Sequence, residues 1–326
     1  MERRPLGRTG LSVTPLGLGL AAVGRPAYIN LGRALDLPPG RTPEALGQRA
    51  DQLLDRAYAL GVRYFDVARS YGLAEDFLGS WLGRREPLPE AVVCGSKWGY
   101  TYVGEWRMDA PVHEVKEHSL ATLRRQLQES RERLGAHLQL YQVHSATIES
   151  GILENLPVLA ELVRIRADGI TIGLTVSGPD QARVIDRAMA VTVDGVNPFS
   201  TVQATWNLLE TSAGPALERA HGAGWGVLIK EALANGRLLA IGDPRLSGLR
   251  QLAADRGQGM DAICLAAVLA QPWVDLALSG AVTVAQVESN AAALTVGLTP
   301  AELERLAGLA EGGPRYWAER RELAWS

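Results

Sequence analysis

The 326 residues carry 33 Lys and Arg against 36 Asp and Glu, a formal net charge of −3, and 47% of them are hydrophobic. That balance, with a pI near 6.0, excludes a basic nucleic-acid surface or an anionic membrane as the main partner. Cys94 and Cys264 lie in apolar runs without metal-ligand spacing, no signal peptide opens the chain and no apolar stretch spans a bilayer, so a metal-free, cytoplasmic protein is expected.

Residues 4–13 hold short β-like pieces around Gly7 and Gly10, a hairpin suited to plugging the bottom of a barrel. Residues 14–20 follow as a first strand whose glycines allow close approach to the backbone. Residues 22–42 are rich in Gly and Pro and too long for an ordinary connector. As a first βα loop carrying Arg25, Tyr28, Asn30 and Arg33, this segment is either a wall of a substrate pocket or a surface excursion. Leu46, Ala50, Leu53, Leu54, Ala57 and Leu60 recur at helical spacing and stop at Gly61, a C-cap. The strand 62–67 ends on Asp66, and Tyr71 stands five residues beyond that acid in a glycine-marked loop.

A second apolar run ends at Lys97. Val115, Leu120, Leu123, Leu127 and Leu134 read as the next amphipathic helix, closed by Gly135. Strands at 138–143, 169–175, 195–204, 224–229 and 274–279 alternate with helices near 153–166, 180–190, 213–223 and 260–270. That alternation, repeated about eight times without a linker, predicts an α/β fold: one closed (β/α)8 TIM barrel over residues 1–326. Thr299-Pro300-Ala301-Glu302 is a helix start with N-cap, N1 proline and capping-box acid. It opens an extra C-terminal helix and tail whose Tyr316, Trp317 and Trp325 either close over the substrate or pack on outer helices, the second being expected for Trp325.

Each polar residue at a strand end has an ordinary reading by itself. Asp66 would cap a helix, Tyr71 would pack, Lys97 would be a solvated charge and His144 a satisfied imidazole. Their order along the chain changes that. The opening Leu6-Gly7-Arg8-Thr9-Gly10, the stretch Tyr64-Phe65-Asp66-Val67-Ala68-Arg69-Ser70-Tyr71-Gly72, the strand ends Cys94-Gly95-Ser96-Lys97-Trp98 and Leu140-Tyr141-Gln142-Val143-His144, and Val202-Gln203-Ala204-Thr205-Trp206-Asn207 together closely resemble the aldo/keto reductase family. The likeness runs from the first strands to about residue 294.

The resemblance implies an NAD(P)-dependent oxidoreductase that interconverts a small-molecule carbonyl and an alcohol. Carbonyl reduction needs hydride at carbon and a proton at oxygen, and a positioned acid supplies the proton. Tyr71 is the implied acid/base. Lys97 is expected to pull its pKa down while paired with Asp66, and His144 to orient the carbonyl oxygen. No Gly-x-Gly-x-x-Gly opens a helix after a strand, so a Rossmann site is not expected. The family instead lays its NAD or NADP across the barrel mouth. Implied cofactor contacts are Gly19, Leu20, Asp66, Thr175 and Gln203, then Lys230, Glu231, Leu233, Gly236 and Arg237, and at the adenosine end Gly280, Thr283, Gln286 and Asn290. Tyr28, Trp98, His144 and Trp206 are the candidates for the substrate side.

Three departures from the family pattern stand out. Thr175 replaces a serine and Val176 an asparagine, so one carboxamide contact is expected to be missing. Lys230 stands where an aromatic ring normally stacks on the nicotinamide. Trp206 is one candidate substitute for the ring, and Lys230 and Glu231 would pair together, touch substrate or contact the pyrophosphate. No Lys or Arg lies between Gln271 and Pro300, so NAD is expected to serve at least as readily as NADP, unless Arg237 or Arg315 supplies the cation. Competing readings are a dehydrogenase oxidising a sugar hemiacetal or pyridoxal-like aldehyde, a cofactor-binding barrel with little turnover, and a Schiff-base enzyme using Lys97. Substrate identity and oligomeric state stay open.

Overall fold

The computed structural model describes residues 1–38, 40–88 and 90–325; Pro39 inside the first long loop, Pro89, and Ser326 at the end of the tail lie outside the described residues. The chain begins with an antiparallel hairpin of β1 (Arg4–Pro5) and β2 (Ser12–Val13). Eight strands then close a barrel: β3 (Leu16–Gly19), β4 (Tyr64–Asp66), β5 (Val93–Trp98), β8 (Leu138–Ala146), β9 (Thr171–Val176), β10 (Thr201–Thr205), β11 (Gly226–Lys230) and β12 (Leu276–Ser279). Every barrel pairing is parallel, and β12 returns to β3 with Leu278 opposite Gly17. The (β/α)8 barrel expected from the alternation is therefore the observed fold.

Strand periodicity sorts the side chains into two cores. Phe65, Cys94, Trp98, Tyr141, Val143, Leu174, Val202, Ala204, Val227 and Ile229 point outward into the layer shared with the helices. Tyr64, Val93, Leu140, Leu228, Leu276 and Leu278 point inward and are capped from below by Leu6 and Val13 of the hairpin. Gly7, at φ 51°, lets that plug close: a Cβ there would sit 2.4 Å from the backbone of Gly226. Arg8 N donates to Gly224 O at 2.8 Å and locks the hairpin to the strand starts.

The helices begin and end where their caps dictate. Helix α1 (Arg33–Asp36) is a single turn inside the first long loop. Helix α2 (Pro43–Ala59) starts at Thr42, whose hydroxyl accepts from Ala45 N, and leaves through Gly61 at φ 94°. Next come α3 (Ala74–Arg85), α4 (Leu120–Leu134), α5 (Leu156–Ala167), α6 (Gln181–Ala190) and α7 (Gly214–Gly222). Then follow α8 (Ser247–Asp255), α9 (Met260–Leu269), α10 (Val284–Ala292), α11 (Pro300–Ala307) and α12 (Gly313–Arg321). The Thr299–Glu302 capping box is present at the start of α11.

Two expectations need correction, and one helix is added. Val115 is not helical: it lies in β7 (Glu114–Lys116), paired antiparallel with β6 (Tyr100–Tyr102), and α4 begins only after the Ser119 N-cap. The hairpin was hidden because Val115 also fits a 3.6-residue repeat with Leu123. The strand expected at 195–204 starts at Thr201; before it, Val193 and Val196 form an isolated bridge. Helix α8, after the seventh barrel strand, was not anticipated, because Gly and Asp around residue 242 break its pattern. Among the described residues, no helix is long and apolar enough to cross a membrane.

Candidate active site

Alternation along the strands places the candidate groups at one mouth. Asp66 ends β4, Lys97 faces inward one residue before Trp98 faces outward, and His144 follows the outward Val143 on β8. Tyr71 comes from the loop between β4 and α3. The four groups, separated by as many as 78 positions, form one cluster; Asp66, Tyr71 and His144 line a cavity of about 960 Å³, and Lys97 lies behind them against Asp66. Lys97 Nζ pairs with Asp66 Oδ1 and also donates to Val67 O at 3.0 Å. The same ammonium lies 4.8 Å from the Tyr71 ring centroid. The Tyr71 hydroxyl is 3.5 Å from His144 Nε2, and the opposite ring nitrogen is 3.4 Å from Ser70 Oγ.

Asp66 is fully engaged. Its second oxygen accepts from Gln203 Nε2 at 2.9 Å and from the Tyr64 hydroxyl at 3.2 Å. Gly17 makes room for the Tyr64 ring, since a Cβ there would come within 2.8 Å of it. Burial and then the Asp66 carboxylate push the Tyr71 phenol well above its ordinary range, with Arg25 pulling the other way. The expectation that Lys97 draws the phenol down is therefore corrected: the ammonium is already matched by Asp66. Burial, then Lys97 and Arg25, hold His144 as the neutral imidazole. The cluster thus presents a protonated phenol and a neutral ring to the cavity.

From this quartet the cavity runs along the strand ends to α10. Gly19, Thr175, Gln203, Leu233, Gly236, Gly280, Gln286 and Asn290, all candidates for cofactor contact, line it, and so do Lys230 and Glu231. Thr175 Oγ1 accepts from Ser145 N at 2.7 Å, so its hydroxyl is held in place beside Gln203. Four expected cofactor or substrate residues are elsewhere. Leu20 is wholly buried in the helix-side core. Thr283 caps α10 through Gln286 N. Trp98 and Trp206 follow inward residues on their strands and turn outward, Trp206 packing edge-on against Trp273 at 5.5 Å. Trp206 consequently offers no substitute stacking surface, and Val176 is likewise buried on the helix side.

Arg237 is also redirected. It pairs with Glu311 at 2.8 Å and with Glu319, while Arg315 pairs with Glu319 at 2.8 Å, so neither reaches the cavity. Lys230 and Glu231 do not pair directly. Lys230 Nζ donates to Ser177 Oγ at 3.0 Å and Thr205 Oγ1 at 2.9 Å. Glu231 pairs with Arg320 from the tail; against the burial that would raise it, Arg320 and Lys230 hold its carboxyl down at about 2.

The first long loop is a wall of the cavity. Arg25, Tyr28, Asn30 and Arg33 all line it. Arg33 stiffens the loop by donating to the carbonyls of Ala22, Pro26 and Arg25. Arg25, only 2% exposed, joins Glu114 at 2.7 Å and Ser70 O at 2.9 Å. Trp325 does not pack on outer helices. It stacks on His113 with centroids 4.5 Å apart, lies over the Arg25 guanidinium at 4.7 Å, and lines the cavity. Tyr316 and Trp317 do pack on the outer helices.

Sequence reasoning missed Asp36, Asp261, Tyr100, Glu114, Ser177 and Arg320, all of which line the cavity. Thr205 was legible in principle, being two residues past Gln203 on the inward face. Arg320 and Asp36 had no local signal. At the far end, Gln286 Nε2 donates to Asp36 at 2.8 Å and Asn290 Nδ2 to Asp261 at 2.6 Å. The residues present fit an extended dinucleotide: the cavity joins Asp66, Tyr71 and His144 to the start of α10, and a Cβ on Gly280 would meet nothing within 4 Å. Among the described residues no group of three or more His, Cys, Asp or Glu is placed to hold a metal.

Comparison with known proteins agrees with this fold. The family model for the aldo/keto reductase family matches residues 16–311. The chain is 32% identical over 164 residues to pyridoxal 4-dehydrogenase of Microbacterium luteolum, covering 44% of this chain and 43% of that one. It is 25% identical over 316 residues to L-galactose dehydrogenase of Arabidopsis thaliana, covering 90% of this chain and 88% of that one. It therefore spans less than half of the first of these relatives and most of the second. In fold it matches the holo form of the aldo-keto reductase AKR11C1 from Bacillus halodurans, with TM-score 0.70 at 21% identity over 96% of this chain and 97% of that one. The chain belongs to the aldo/keto reductase family of oxidoreductases.

Proposed function

We propose that the chain interconverts a small carbonyl and its alcohol by hydride exchange with a bound NAD or NADP, with Tyr71 as the general acid/base. The observation that carries this reading is the convergence of Tyr71, Lys97, Asp66 and His144 in one cluster at the cavity's inner end. Thr175 and Gln203 would hold the carboxamide, Gly236 and its loop the pyrophosphate, and Gly280, Gln286 and Asn290 the adenosine end. When bound, the nicotinamide supplies or accepts the hydride.

The remaining chemistry falls to side chains. In reduction, His144 and Tyr71 orient the carbonyl oxygen from two directions, and Tyr71, protonated at neutral pH, delivers the proton. His144, neutral, donates one hydrogen bond without adding charge, which stabilises the oxygen as it turns anionic. The Lys97–Asp66 pair holds a fixed dipole beneath the phenol. In oxidation the same phenol must first give up its proton, which its burial opposes, so oxidative turnover should rise with pH.

A second reading, oxidation of a cyclic hemiacetal, is favoured by the two relatives named above, whose named substrates are both hydroxy-aldehydes. The polar and aromatic lining of Arg25, Tyr28, Tyr100, Glu114 and Trp325 suits a hydroxylated ring. The test is a panel of aldehydes, ketones, alcohols and aldoses assayed with both nicotinamides in both directions. Turnover that vanishes in Tyr71→Phe supports the proposal; tight dinucleotide binding with no turnover across the panel sinks it.

A further inference from the structure

Three cations around the mouth are each matched by a carboxylate: Lys97 by Asp66, Arg25 by Glu114, and Arg320 by Glu231. Lys230 is bonded differently. Its ammonium donates to two neutral hydroxyls, Ser177 at 3.0 Å and Thr205 at 2.9 Å, leaving one N–H direction for the cavity it lines. The register puts Thr205 beside Lys230 on β10 and β11, and Thr175 beside Gln203 on β9 and β10. The charge therefore stands at the strand ends next to the side chains proposed above to hold the carboxamide.

We propose that Lys230 biases the cofactor's redox state: its ammonium disfavours the cationic, oxidised nicotinamide and favours the neutral, reduced one. This inference rests on the dinucleotide reading of the cavity and assigns a task to the residue that replaces a ring. The physical reason is Coulombic, since the two redox forms differ by one unit of charge close to where the ammonium lies.

The bias is reversible with pH. The charged groups around Lys230 are Glu231 beside it, Arg320 from the tail, Lys97 on β5 and Asp66 on β4, and neutral His144 on β8 faces it too. Lys97 with Asp66, and Arg320 with Glu231, form closed pairs, so loss of the Lys230 proton lowers the local charge by one unit. Burial brings that loss down to about pH 8. Below that pH the ammonium holds the reduced cofactor more tightly; above it the handicap of the oxidised form disappears.

The test is equilibrium titration of the full chain with NAD⁺ and with NADH, followed by tryptophan fluorescence from about pH 6.5 to 9.5. In the wild type the ratio of the NAD⁺ dissociation constant to that of NADH should fall by about tenfold through pH 8. Lys230→Met should give the low ratio at every pH, and Lys230→Arg, which keeps its charge, the high one. Tyr71 and His144 are present in all three proteins, so only the Lys230 component separates them. A wild-type ratio that follows Lys230→Met, or equal ratios in the two variants, overturns the inference while leaving the dinucleotide reading intact. Failure of the wild type to bind either dinucleotide overturns both.

Discussion

The Tyr71 hydroxyl lies 3.5 Å from His144 Nε2, and each ring is held in the form that serves a carbonyl. Burial keeps the phenol protonated and the imidazole neutral, so a carbonyl oxygen placed between them meets two donors. Tyr71→Phe removes the transferable proton without emptying the space. Turnover should fall by about 10²–10⁴-fold. Dinucleotide dissociation constants from fluorescence titration should change little, and a loss of binding equal to the loss of rate would refute the assignment.

The Lys97–Asp66 pair is buried, with 1% and 4% of the side chains exposed. Removing one partner strands the other. Lys97→Met should destabilise the fold by about 3–5 kcal/mol in urea unfolding. Asp66→Asn combined with Lys97→Met should recover much of that stability without recovering activity. Equal stability of the single and double variants would show that the pair contributes through shape rather than charge.

Asp36, in the first long loop, and Asp261, on α9, form an acidic margin at the α10 end of the cavity. Arg49 donates to Val282 O there at 2.9 Å, and Arg33 donates to carbonyls of the first long loop. A 2′-phosphate would meet carboxylates, whereas ribose hydroxyls would find acceptors. NADH should therefore bind more tightly than NADPH, and Asp36→Asn should narrow the gap by about tenfold. Tighter binding of NADPH by the wild type would contradict this.

His118 is half-buried against Trp98, and its Nε2 donates to His144 O at 3.0 Å. Burial, aided by Lys116, lowers its pKa to about 4, so the unfolded chain takes up its proton first on acidification. The unfolded state binds more protons between pH 6.5 and about 4, and stability must fall with pH across that window. The loss attributable to this ring is on the order of 3 kcal/mol. Melting temperatures of the wild type and His118→Gln should converge as pH drops through that range; a constant difference would exclude the ring as the cause.

The tail closes the Arg25 side of the cavity through Trp325, stacked on His113 and set over Arg25. Trp325→Ala removes a stacking and a cation–π contact, each worth roughly 1 kcal/mol. KM for the substrate should rise about tenfold, while kcat changes by less than about threefold. A matching drop in kcat would place Trp325 in the chemistry rather than in binding.

The sequence by itself determined the barrel and the four groups at its mouth, because both depend on short-range pattern. Strand alternation made Asp66, Lys97 and His144 inward while Phe65, Trp98 and Val143 faced the helices, and Gly61, Thr42 and Thr299 marked helix ends by their own chemistry. The same alternation, applied strictly, would already have turned Trp98 and Trp206 away from the cavity. Pairings between distant segments were decided only in three dimensions. Arg237 was drawn off by Glu311, Glu231 was claimed by Arg320, and Asp36 reached Gln286 across 250 positions. A charged side chain's partner depends on which loops meet above the strands, and no local periodicity encodes that meeting.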